Sequence, residues 1–223
     1  MKKLFAYFKH PTETSAKEDS ASIKSLIIFY ILMQGIYIMV VIPFAIAGIT
    51  PENRLQNLKE LGLPFLILAF LPPILEELSF RLPLKRKKIN FIVSFTLLAW
   101  IASSRIASIS IYSGQYLWLR LSISLIVGFL LGYFLLKPLQ KVQFGVIFYV
   151  FAFIFGFMHI SNYAGQITSF AIVLYVFIYL LNKVAMGMFL GYIRIRYTIF
   201  ASITVHLLNN FLPLMAAYYL IPN

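Results

Sequence analysis

Residues 72–84 read PPILEELSFRLPL, and two adjacent glutamates, Glu76 and Glu77, stand directly after an apolar run. Upstream, LGLPFLILAFLPPIL carries no charge from Leu61 to Leu75. A bilayer core is about 30 Å thick and takes about 20 apolar residues to cross as a helix. The stretch therefore reads as membrane-spanning, with two carboxylates inside it. On insertion scales a charged group at the centre of a spanning helix costs about 2.5–3.5 kcal/mol, and such groups usually face a cavity and a polar partner. The fold class and the function both turn on what justifies these two residues.

The rest of the 223-residue chain supports the membrane reading. Its apolar fraction is 61% and its charged fraction 12%, and mean hydropathy is +0.87. Soluble domains run at about 45–50% apolar and about 25% charged. The net charge of +12 does not point to nucleic acid, because the basic residues sit in short clusters between apolar runs. That is the pattern of loops facing anionic lipid. With no cysteine, disulfides, thiolate catalysis and Cys-based metal sites are excluded.

Apolar runs predict an all-α, polytopic helix bundle of about seven to eight spans, since open strands cannot satisfy their backbone in lipid. Residues 1–24 form a polar tail without a secretory signal, and 25–223 a single membrane domain. Spans are expected at 25–50, 61–84, 89–104, 116–136, 144–162, 167–193 and 198–220. Asn182-Lys183 interrupts the sixth, which could instead be two short segments. With the N-terminus inside, inner segments carry thirteen Lys and Arg against four outside. That bias predicts a cytoplasmic N-terminus and an uncleaved first span. No internal repeat of the transporter kind is visible.

Glu76 and Glu77 are the only carboxylates beyond Glu60. Arg81 follows Glu77 by four residues and shares its helix face, although its nearness to Lys85–Lys88 would also let it snorkel. His159 and His206 fall inside apolar spans, with Phe155 four residues before the first and Asn210 four after the second. Carboxylates, imidazoles and an amide suit peptide hydrolysis. A desolvated glutamate with a cationic neighbour takes a proton from water. A histidine orients that water or protonates the leaving amine, and Asn210 donates to the oxyanion. Glu76, His159 and His206 could also ligate a divalent metal such as zinc, but HExxH and its inverse are absent.

These residues resemble the motifs of the CAAX protease and bacteriocin-processing (CPBP, or Abi) intramembrane proteases. Glu76-Glu77-Leu-Ser-Phe-Arg81 is similar to that family's EExxxR, Phe155-Gly-Phe-Met-His159 to its FxxxH, and His206-Leu-Leu-Asn-Asn210 to its HxxxN. All three occur in the family's order on separate spans. The resemblance implies a helical endopeptidase in the cell membrane whose site opens toward the cytoplasm. Glu76 would activate water, Glu77 and Arg81 would support it, His159 and His206 would position water, and Asn210 would form the oxyanion hole. No cofactor is required on that mechanism. Partners would be the bilayer and a membrane-associated or lipidated protein or peptide, with no nucleic acid.

Two departures stand out. Leu82-Pro83 follow Arg81 where the family commonly has glycine, and 82 residues separate Glu77 from His159. Spans three and four therefore read as an inserted hairpin. Counted at 1.5 Å per residue from the basic ends, His159 would also lie roughly 10 Å deeper than Glu76. Two readings from other classes compete: a non-catalytic scaffold or regulator of the same fold, and a proton-coupled transporter using the glutamates as a relay.

Overall fold

The computed structural model describes residues 1–13, 20–49, 65–163 and 165–220, with backbone only at 65–69 and 213–220. Among these residues nine α-helices and two 3-10 turns follow one another, without a strand. They are α1 (Lys2–Lys9), α2 (Ile23–Ile46), α3 (Phe65–Phe80), α4 (Lys88–Ile106), α5 (Leu117–Phe134), α6 (Leu136–Lys141), α7 (Phe144–Met158), α8 (Phe170–Arg196) and α9 (Ile199–Leu220). Five segments, α2, α4, α5, α7 with its 3-10 extension, and α8, are long and apolar enough to cross a membrane. Their outward faces carry Ile36, Met39, Trp118, Leu125, Phe153 and Phe177. Such apolar surface is stable only against other apolar material.

The segment that composition marks as a polar tail contains α1, whose Leu4 and Tyr7 are buried. Tyr7 packs edge-on to Phe148 and Tyr192, with ring centroids 5.6 and 5.0 Å away. Burial raises the Tyr7 phenol above its ordinary pKa, so it stays neutral. The Tyr192 hydroxyl accepts from the Ala21 backbone N–H at 2.7 Å, and Tyr197 donates to the Ala21 carbonyl at 2.7 Å. The main core lies here, where Phe80, Leu84, Phe148, Phe155, Phe189, Leu190 and Tyr192 meet beneath α1.

The chain after Arg81 explains how His159 reaches the depth of Glu76. Pro83 has no N–H to give the Ser79 carbonyl, so α3 ends at Phe80 and Leu82–Leu84 form a 3-10 turn. The freed Ser79 carbonyl accepts from the Ser94 hydroxyl of α4. Lys85 is then extended, at φ −98° and ψ 102°. Arg86 donates to the Gln140 and Val142 carbonyls, both at 3.0 Å, which levels it with the start of α7. With about 2.0 Å rise per 3-10 residue and about 3.3 Å per extended residue, Arg86 to Glu76 spans roughly 20 Å. Phe144 to His159 at about 1.5 Å per residue spans roughly 22 Å. The expected mismatch came from counting 76–85 as α-helix.

Two helix pairs approach at backbone distance. A Cβ on Gly156 of α7 would lie 2.8 Å from the Val184 nitrogen of α8, so only glycine fits. On α5, a Cβ at Gly128 would meet the Thr96 nitrogen of α4 at 2.5 Å. Such small-residue contacts are the usual way membrane helices pack closely. α8 runs unbroken through Asn182-Lys183, so the sixth expected span is one helix.

Candidate active site

Glu77 is fully buried and held on three sides. Its Oε1 accepts from His206 Nδ1 at 2.9 Å, its Oε2 accepts from the Ser202 hydroxyl, and Arg81 Nε lies 3.7 Å from Oε1. Arg81 is 1% exposed, so it does not snorkel. Its guanidinium lies 4.4 Å from the centroid of the Phe155 ring. Removing one partner of a buried ion pair costs about 3–5 kcal/mol, because the other charge is stranded.

Phe155 is the packing centre. It is fully buried and stands edge-on to Phe80, His159 and His206, with centroids 5.6, 5.0 and 5.7 Å away. His159 turns Nδ1 to the Phe155 carbonyl at 2.8 Å. Each imidazole therefore donates through Nδ1 to a fixed acceptor, which sets the ring's orientation and leaves Nε2 pointing elsewhere. Those two Nε2 atoms lie 3.9 Å (His159) and 3.5 Å (His206) from Glu76 Oε2. That oxygen is buried and accepts no hydrogen bond from the described residues. A carboxylate oxygen and two imidazole nitrogens thus face one another closely enough for one water molecule to bridge them.

The metal reading can be tested on this spacing. One carboxylate and two back-bonded imidazoles are chemically suitable ligands. Zinc bonds of 2.0–2.1 Å put neighbouring ligand atoms about 3.3–3.4 Å apart in a tetrahedron, and the Glu76–His159 separation exceeds that. Among the described residues no group of three or more His, Asp or Glu is arranged to hold a metal. The set does not fit as it stands, and the chemistry is derived from the chain's own groups.

Beside Glu76 lies a cavity of about 250 Å³ whose walls include His159, Asn210, Tyr179, Lys183 and Arg105. Asn210 Oδ1 accepts from Asn209 Nδ2 at 3.0 Å. Asn209 Oδ1 in turn accepts from Tyr30 at 2.9 Å and Gln34 at 3.3 Å, both on α2. With its oxygen engaged, Asn210 has its amide N–H groups left to donate into the cavity. Arg105 at the end of α4, and Met158 to Asn162 at the end of α7, mark the cavity's side of the bundle. Lys85–Lys88 precede α4 and lie at the other side.

All six residues singled out in the sequence are thus brought together, from α3 and the residue just after it, the 3-10 turn that follows α7, and α9. Ser202, Lys183 and Arg105 were missed. Ser202 carried a signal, since it precedes His206 by four and Asn210 by eight, making one polar stripe on α9. Lys183 is the central residue of the 27-residue α8, where a charge costs about 2.5–3.5 kcal/mol. Compared with known proteins, the chain matches no family model, no curated protein and no solved structure.

Proposed function

We propose that this chain is a multi-pass intramembrane endopeptidase that hydrolyses a peptide bond with water activated by Glu76. The observation that carries the reading is the closeness of Glu76 Oε2 to the Nε2 atoms of two imidazoles, each oriented through its Nδ1. Water in that position donates a hydrogen to Glu76, and its oxygen attacks the substrate carbonyl as Glu76 takes the proton. The oxyanion receives N–H from Asn210. As the C–N bond breaks, the proton passes to the leaving amine from Glu76 directly or through His159. Glu77, Arg81 and Ser202 hold His206 in one tautomer throughout. The resemblance in the motifs EExxxR, FxxxH and HxxxN points the same way.

The test uses protein purified in detergent and a set of apolar and lipidated peptides, with products read by mass spectrometry. Glu76→Gln keeps the shape but removes the base, and should lower turnover about 10²–10⁴-fold. Equal turnover by both forms would sink the peptidase assignment. A proton flux in liposomes that vanished with Glu76→Gln would favour the transporter reading instead.

In the membrane we place seven crossings, α2–α5 and α7–α9, with the N-terminus inside as the Lys and Arg bias favours. The cavity then lies on the outer side of the bundle, against the cytoplasmic opening that the resemblance implies. The cysteine-free sequence makes this simple to check. In intact cells an impermeant maleimide should label Ser161→Cys and not Lys85→Cys. The reverse pattern would invert the topology and restore a cytoplasmic mouth.

A further inference from the structure

The cavity walls hold two cations, Lys183 and Arg105, against one carboxylate, Glu76. Among the described residues neither cation has a carboxylate within ion-pairing distance. Lys183 Nζ lies over the face of Tyr179, 5.3 Å from the ring centroid. A charge at the centre of a spanning helix is costly and is normally retained for a partner it meets there. Arg105 comes from a different element, the last turn of α4, so two independent helices direct positive charge at one volume. The Glu76 carboxylate does not satisfy them, because its buried oxygen faces the two imidazoles.

We infer that Lys183 and Arg105 form a carboxylate-binding subsite beside Glu76, His159 and Asn210. Lysine supplies a point charge and arginine a planar fork that takes a carboxylate two-pronged. That the carboxylate belongs to a peptide substrate rests on the peptidase reading above. It can come from a chain terminus or from an Asp or Glu side chain. Bound there, it would set the distance from the anionic group to the bond presented at Glu76, and so act as a ruler for cleavage.

Binding is measured on Glu76→Gln protein in detergent, so that no turnover intervenes. The probes are one fluorescent apolar hexapeptide as free acid, as amide, and as amide with a single internal Glu or Gln. The free acid, the Glu peptide, or both should bind about tenfold or more tighter than the neutral partner, as a charge-assisted hydrogen bond provides. The stronger of the two identifies the source of the carboxylate. Lys183→Met should erase the preference, and Lys183→Arg should retain most of it. Lys183→Met removes a charge from the membrane interior, so its thermal midpoint should hold or rise. Equal binding of charged and neutral peptides by folded protein, or binding of none, overturns the subsite. Carboxylate-dependent binding without cleavage by wild type would sink the peptidase reading and leave the subsite standing.

Discussion

The α4–α5 hairpin and the α7–α8 pair use the same packing device to different ends. In both, a glycine lets two backbones touch: Gly128 on Thr96 in the first, Gly156 on Val184 in the second. The small residues Ser124, Gly128 and Gly132 make a buried stripe along α5. Beyond that stripe, Arg120 donates to the Ser113 carbonyl at 3.0 Å and lies 4.0 Å from the Trp100 ring centroid. Those contacts close the hairpin on itself. Gly156, by contrast, adjoins Phe155 and stands three residues before His159. One close approach stabilises a hairpin, whereas the other sets where an imidazole points.

The contrast is tested most sharply by a pair of substitutions. Gly156→Ala would put a methyl 2.3 Å from Val184 Cγ2 and 2.8 Å from its nitrogen. Pushing α7 from α8 by about 1 Å carries His159 with it, and misplacement of that size costs about 10²-fold in rate. Gly128→Ala makes the worse clash, 2.5 Å from the Thr96 nitrogen and 2.6 Å from its Cα. Its strain can be relieved by moving α5, which carries none of the site residues. It should lower the thermal midpoint at least as much as Gly156→Ala while changing kcat less than about threefold, given that overpacking costs about 1–3 kcal/mol. If the two variants lose activity in parallel with stability, the distinction between hairpin and site pair fails.

A smaller effect belongs to Ser202. Ser202→Ala removes one of the hydrogen bonds on Glu77 and leaves His206 and Arg81 in place. A net loss of about 1.5–3 kcal/mol for a bond to a charged group is the expected stability change. The rate should fall less than for Gly156→Ala, and Ser202→Thr should recover most of it. A loss matching that of Glu76→Gln would place Ser202 in the chemistry itself.

Much of this arrangement was legible from spacing alone. Apolar runs located the long helices within a few residues, and four-residue intervals put Glu77 with Arg81, Phe155 with His159 and His206 with Asn210. Such intervals report only on one helix face, however. The Glu77–His206 bond joins residues 129 apart, and no local pattern encodes how α3 and α9 cross. Lys183 looked like an interruption because hydropathy counts a charge without regard to direction. In α8 it faces the cavity, while the adjacent Asn182 reaches Gln34 of α2 at 3.5 Å. The depth of His159 was misread for a similar reason. Pro83 changes the rise per residue over a short stretch, which a uniform helical count ignores.

The docking of α1 has a consequence for how the chain is made. Leu4 and Tyr7 lie against Phe148 and Tyr192, groups that are synthesised some 140 to 185 residues later. At about 5–20 residues per second, α1 waits roughly 10–40 s on the ribosome's near side before its seat exists. Throughout that interval Leu4 and Tyr7 are without their final packing, flanked by Lys2, Lys3 and Lys9. Docking of Tyr7 is therefore a late event of biogenesis, possible only once Tyr192 near the end of α8 has been made.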